Sequence, residues 1–319
     1  MICCLCVGFQ FDRLLSIACS DALRGDDMDV VSAVSTLEDN PLFNCGFGSN
    51  PTMDGSVECE AGFMTSDGFR FGGVGVVSRL KHPSKVARAI AYSNDNNGLV
   101  LPMVLVGSGA ENWAEKRGFT LNSPNALVGT KTKEIWKKAR NAFARVSDSD
   151  EKSMDTVGAV SVMDDVVEAC TSSGGLILKS PGRLGQCTIF GSGTWAEKRA
   201  DKCIGMTVSG CGEAITRADF SRSLSKLLLT RASDELPSEV VRKFLEHEFL
   251  NSDLMSSISP NRLYAGGLAI LKEEENRCEL LVFHNTPVLP FAFRRGSVVK
   301  KSLSQLPPGS KILVESYMC

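Results

Sequence analysis

Thr156 follows Asp155 directly and opens the apolar run TVGAVSV, at the close of a charged stretch, TKTKEIWKKARNAFARVSDSDEKSMD, with little apolar content. A threonine hydroxyl is a poor nucleophile at neutral pH unless a base stands beside it. If the backbone is cut between Asp155 and Thr156, the threonine carries that base itself: the new α-amine, with an ordinary pKa of about 7.7–8.0, is largely neutral at mildly basic pH. No histidine is then required, which suits a chain whose 3 histidines, His82, His247 and His284, lie far apart. Taken alone, Thr156 reads better as a β-branched residue opening a strand.

Three further stretches add weight. TSSGG (171–175) offers Ser173, PGRLGQ (181–186) offers Arg183 and Gln186, and VSGCGE (208–213) offers Ser209, Gly210 and Gly212. Such strand-and-glycine segments bring hydroxyls, a guanidinium and free backbone N–H groups to a strand end. Each is a weak signal by itself.

The rest of the composition narrows the class. The 35 basic and 37 acidic residues nearly cancel, so no global field draws the chain to nucleic acid or an anionic membrane. Many of the 12 cysteines lie in apolar runs, where a free thiol packs as a small hydrophobe, and a reduced compartment is the simplest reading. With the histidines scattered, a zinc site has little to stand on, and no metal ligands are assigned. The apolar start, MICCLCVGF, lacks the basic region of a secretory signal and is too short to span a bilayer, so a first strand is expected and a secreted protein is not.

Several elements must position these residues. Leu14, Leu15, Ile17, Ala18 and Leu23 fall at helical spacing over 11–24, with Gly25 as a stop. Asp26 or Asp27 can cap a second helix with Val30, Val31, Val34 and Leu37 on one face. Residues 40–64 have the Gly, Asn and Pro content of tight turns. Strands are expected at 69–77 and 101–107, and a helix at 83–93. Residues 130–155 read as a mobile linker, basic and then acidic, with Ile135 and Trp136 as the buried residues of a solvated helix end. Beyond Thr156 come the strands TVGAVSV, VVEACTSSGG, CTIFGSG and MTVSGCGE, helices over 213–229 and 236–250, and a tail of antiparallel strands. The fold class expected is α+β, a four-layer αββα sandwich with two antiparallel sheets between helix layers. Residues 1–155 form an α segment and 156–319 a β segment, together one folded domain.

In order along the chain, LEDNPLFNCGFGSN, VECEA, DTVGAV, SSGG, LILKSPGRLGQ, GSGTWAE, VSGCGE and QLPPG resemble the threonine-dependent N-terminal-nucleophile hydrolases of the plant-type asparaginase family. The resemblance runs from about residue 14 to the C-terminus and is greatest to the threonine-aspartase (taspase) branch. It implies that Thr156 is the nucleophile, released by self-cleavage after Asp155, with Ser173 as the neighbouring hydroxyl. Ser209 Oγ and the Gly210 N–H would form the oxyanion hole. Arg183 would grip a substrate carboxylate with a bidentate fork, Gly212 would let substrate approach the backbone, and Asn44 would lie near the nucleophile. The resemblance further implies a structural sodium ion in the loop Leu37 to Phe47, no other cofactor, and pairing of two αβ units into a dimer.

Gln186 bears on the substrate. Family asparaginases and isoaspartyl peptidases carry an aspartate there, which pairs with the substrate's free α-ammonium. Inside a protein that nitrogen is a neutral amide, and a carboxylate facing it would be desolvated without a partner. A neutral glutamine therefore favours an internal Asp-X bond, and the cut after Asp155 agrees. The expected function is a self-processing threonine endopeptidase cleaving Asp-Gly sites in protein substrates, nuclear transcription regulators among them, in nucleus or cytoplasm, with neither nucleic acid nor membrane as a partner. The alternatives are an isoaspartyl peptidase or L-asparaginase, an uncleaved homologue that only binds, and more remotely a glycosylasparaginase.

Overall fold

The computed structural model describes residues 2–6, 13–25, 29–94, 98–143, 156–274 and 277–318. Asp155, and with it the bond expected to be cut, lies outside the described residues.

Two sheets form the centre. The larger contains β1 (Ile2–Cys6), β2 (Cys59–Thr65), β3 (Arg70–Val77), β4 (Val104–Val106), β5 (Val157–Met163), β6 (Val166–Ser173), β11 (Val288–Arg295) and β12 (Val298–Gln305). Its strand order is β12-β11-β1-β5-β6-β2-β3-β4, and among the described residues its neighbouring strands are antiparallel except for the β3–β4 pair. The smaller sheet contains β7 (Thr194–Arg199), β8 (Lys202–Gly210), β9 (Ala265–Glu274), β10 (Arg277–His284) and β13 (Leu313–Met318), in the order β13-β10-β9-β8-β7. The apolar start is a strand, as expected, seated between β5 and β11.

Helices α1 (Arg13–Ala22), α2 (Val30–Glu38), α3 (Pro83–Ala91) and α4 (Gly107–Glu115) pack on the larger sheet. Helices α7 (Phe220–Thr230) and α8 (Pro237–Lys243) pack on the smaller one, and α6 (Gly212–Arg217) follows the end of β8. One apolar cluster joins α6 to α8 with the sheet interface, and a second fills the space between α1 to α4 and the larger sheet. The result is the expected α+β sandwich of two antiparallel-rich sheets with helices outside. Among the described residues no helix is long and apolar enough to cross a membrane.

Four local expectations are corrected. The cap of α2 is Asp29 rather than Asp26 or Asp27; its carboxylate accepts the Val31 and Ser32 N–H groups at 3.0 and 3.2 Å. CTIFGSG is no strand: Gln186–Thr188 form a 3-10 turn, and Gly193 N–H folds back onto the Gln186 carbonyl at 3.1 Å. The helix expected over 213–229 divides at Asp219, whose φ of 44° is left-handed. The basic half of the segment read as a linker is helix α5 (Thr130–Phe143). Trp136 Nε1 donates to the Met53 carbonyl at 3.2 Å and Lys131 Nζ to that of Pro41 at 2.9 Å.

Candidate active site

Strand alternation explains how one serine pair serves two purposes. Successive side chains on β6 face opposite ways. Ser172 turns toward the helices and donates to the buried Glu38 carboxyl at 2.7 Å, while Ser173 turns the other way and sets its Oγ 2.9 Å from Thr156 Oγ1. Thr156 immediately precedes β5 and is buried, 5% exposed. Ser173 Oγ also accepts the Gly175 N–H at 3.0 Å, which fixes the hydroxyl beside the threonine. Asn44 closes the other side: its backbone carbonyl accepts from Gly174 at 2.8 Å, its Nδ2 donates to the Gly175 carbonyl at 2.8 Å, and its Oδ1 accepts the Asn50 N–H at 2.7 Å.

Asn44, Thr156, Ser173, Gly175, Leu176, Arg183, Gln186 and Gly210 line one small cleft. Six of the residues singled out from the sequence therefore meet. Gly210, at the end of β8, has φ 145°, and a Cβ there would lie 2.2 Å from the Tyr264 carbonyl oxygen, so only glycine fits. Ser209 is fully buried beside it, and its Oγ has no hydrogen-bond partner among the described residues. Gly212 stands close behind: a Cβ there would lie 2.6 Å from Arg183 Nη2 and 2.8 Å from Gln186 Oε1.

Arg183 departs from the expectation of an open fork. Its Nε and Nη2 each donate at 2.8 Å to the two oxygens of Glu213, which leaves Nη1 as the donor not engaged there. Burial alone would lower the guanidinium's affinity for its proton, but the Glu213 hydrogen bonds and the nearby Glu60 charge outweigh this and hold it above its ordinary range. Conversely, burial would raise the Glu213 carboxyl and Arg183 holds it below its usual range. Gln186 is buried, with Nε2 3.4 Å from the Val208 carbonyl.

Sequence reasoning missed three charged neighbours, all inside stretches it quoted. Glu213 ends VSGCGE, Glu60 lies in VECEA, and Lys179 lies in LILKSPGRLGQ. Lys179 is 5% exposed and donates to the Glu58 carbonyl at 2.7 Å. It also missed a hydroxyl chain between the sheets, in which Thr171 Oγ1 contacts Thr207 Oγ1 at 2.8 Å and Thr194 Oγ1 at 2.7 Å. In the loop Leu37 to Phe47, where a cation is expected, the oxygen-bearing side chains of Glu38, Asp39, Asn40 and Asn44 already have protein partners, so backbone carbonyls are the donors left to it. Backbone carbonyl oxygens of this kind suit a hard cation. Among the described residues no cluster of His, Cys, Asp or Glu could hold a metal.

Comparison with known proteins gives the family. The family model described as asparaginase matches residues 16–245. A plant-type L-asparaginase of Pyrococcus furiosus is 30% identical over 249 residues, covering 74% of this chain and 77% of the relative. An isoaspartyl peptidase of Escherichia coli is 34% identical over 209 residues, 63% of this chain and 62% of its own length. An isoaspartyl peptidase/L-asparaginase of Danio rerio is 33% identical over 194 residues, 60% of each chain. The chain belongs to the plant-type asparaginase family of N-terminal-nucleophile hydrolases.

Proposed function

We propose that this chain is a self-activating threonine hydrolase of amide bonds formed by an aspartyl carbonyl, acting on isoaspartyl peptides or asparagine as its relatives are named to do. The observation that carries the proposal is the 2.9 Å contact between the Thr156 and Ser173 hydroxyls in a cleft that also holds Arg183. In the reaction proposed, Thr156 Oγ1 first attacks the Asp155 carbonyl carbon. The C–N bond breaks, the proton passes to the departing nitrogen, and the resulting ester is hydrolysed to leave Thr156 with a free amine. That amine then takes the Oγ1 proton when a substrate carbonyl is attacked. The oxyanion that forms would be met by Ser209 Oγ and the Gly210 N–H, groups held ready before the charge develops. The leaving amine or ammonia accepts the proton, and water releases the acid from Thr156.

Arg183 Nη1 would bind the carboxylate of the aspartyl unit, with Glu213 keeping the guanidinium plane in place. Carbonyls of the loop Leu37 to Phe47 would hold a sodium ion, whose contribution is to stiffen the loop carrying Asn44.

A second reading rests on Gln186. Its neutral amide stands at the cleft where a charged partner for a substrate ammonium would be useful, which favours an internal Asp-X bond and hence an aspartate-specific endopeptidase. One experiment tests both. Intact mass is followed over time for the wild type and Thr156→Ala, and the processed enzyme is given an isoaspartyl dipeptide, L-asparagine and a peptide with an internal Asp-Gly bond. Fragments 1–155 and 156–319 in the wild type alone, with turnover of the first two substrates, support the proposal. Turnover of the third alone transfers it to the second reading, and an uncut wild-type chain overturns both.

A further inference from the structure

Glu60 and Ser173 are direct register partners on β2 and β6. Paired residues on antiparallel strands share a sheet face, so the Glu60 side chain projects on the side where Ser173 meets Thr156. Glu60 is 1% exposed. Its Oε2 accepts the Gly185 N–H at 2.5 Å, while Oε1 has no hydrogen-bond partner among the described residues. The Cys187 thiol beside it is a weak hydrogen-bond partner of the carboxylate, and burial first, then the Glu60 charge and that hydrogen bond, drive the thiol's pKa well above its ordinary value.

A buried carboxylate oxygen with at best a weak thiol donor is costly. Its surroundings say what donor would suit it. At Gly185 the missing Cβ leaves a point 2.4 Å from Glu60 Oε1 and 2.9 Å from Arg183 Nη1. At Gly175, on the cleft wall, the corresponding point lies 3.1 Å from Arg183 Nη1 and 3.2 Å from Lys179 Nζ. A second cation, Lys179, and the Glu60 carboxylate thus both stand close to Arg183 Nη1. That is the complement of an α-amino acid head group, in which a carboxylate and an ammonium share one carbon.

We propose that Glu60 Oε1 accepts the α-ammonium of a substrate whose carboxylate is held by Arg183 with support from Lys179. This supplies from β2 the negative charge that Gln186 does not. The inference rests on the reading of the chain as an isoaspartyl or asparagine hydrolase, and makes Glu60 the residue that selects a free α-amine.

The test is calorimetric binding of L-aspartate and N-acetyl-L-aspartate to the processed wild-type enzyme and to Glu60→Gln, whose amide carbonyl can still accept from Gly185. The wild type is expected to prefer L-aspartate, and the substitution to cut that preference about 10- to 100-fold, the loss expected for one charged hydrogen bond. Glu60→Asp should restore part of it. No wild-type preference, or one unchanged in Glu60→Gln, overturns the inference; the wild-type comparison does so without any folded variant. Hydrolysis assays on the same samples separate the two proposals. Binding that prefers L-aspartate through Glu60 without turnover of free-amine substrates keeps the subsite and removes the hydrolase reading. Turnover without the Glu60-dependent preference does the reverse.

Discussion

Arg183 and Glu213 form a bidentate pair, with Nε to Oε1 and Nη2 to Oε2 both at 2.8 Å. The pair holds the guanidinium plane while leaving Nη1 for a ligand. A lysine at 183 has no planar fork and so cannot grip Glu213 and point a second donor at the cleft together. Arg183→Lys is expected to raise KM for a carboxylate-bearing substrate about 10- to 100-fold, the worth of a charged hydrogen bond, with a smaller change in kcat. Steady-state kinetics of the processed enzyme measure this; an unchanged KM would remove Arg183 from substrate binding.

Ser209 Oγ is buried without a partner among the described residues, as expected of a donor waiting for a charge that exists only during the reaction. Ser209→Ala is therefore expected to lower kcat about 10²- to 10³-fold with KM little altered, and to slow self-cleavage between Asp155 and Thr156. Single-turnover kinetics and intact mass read the two effects. Loss of KM alone would mean that the hydroxyl meets bound substrate and not the transition state.

How much of this was legible in the sequence depended on whether a signal was local. The spacing of Val30, Val31, Val34 and Leu37 marks α2 without further help, yet the acids at 26, 27 and 29 offer equivalent caps, and only the chain's direction into the helix selects Asp29. CTIFGSG has the composition of a strand, but its backbone turns back on itself before β7 begins, Ser192 N–H taking the Ile189 carbonyl at 3.0 Å and Gly193 N–H that of Gln186 at 3.1 Å, and composition does not report such a turn. Helix α5 reads as linker because it is so charged, although Thr132, Ile135, Trp136 and Ala139 make one less exposed face. The hydroxyls, the guanidinium and the glycines of the site were legible as motifs. Glu60 was not, because its place beside Ser173 is a matter of strand register across more than 100 residues of chain.

Gly158 marks a close approach of the two sheets behind the site. A Cβ there would lie 1.9 Å from Thr207 Oγ1 and 2.8 Å from Thr207 Cβ, so Gly158→Ala must push β5 from β8. Overpacking of this kind costs about 1–3 kcal/mol. A lower Tm is expected in Gly158→Ala, partly recovered by adding Thr207→Ala, which opens space but breaks the hydroxyl chain through Thr171. Thermal melts of the single and double variants check it, and strictly additive losses would show that the two residues do not collide.

Glu273 sets an acid limit on stability. Its oxygens accept from Arg231 Nη1 at 2.7 Å and Nη2 at 2.5 Å, with Lys202 Nζ at 3.0 Å, and Arg231 also donates to the Leu228 and Glu235 carbonyls at the end of α7. The Arg231 hydrogen bonds first, then Lys202, outweigh partial burial and hold the Glu273 carboxyl down to about 2, against an ordinary 4.5. Since the folded-state value lies below the unfolded one, the stabilisation is fully present above pH 4.5 and is lost as pH falls toward 2. Glu273→Gln should therefore be less stable than the wild type at pH 7, by about 1–3 kcal/mol for the lost charged hydrogen bonds. The gap should close steadily between pH 4.5 and 2. Urea unfolding of both proteins across that range decides it: a gap independent of pH would mean that Glu273 acts through packing and not through its charge.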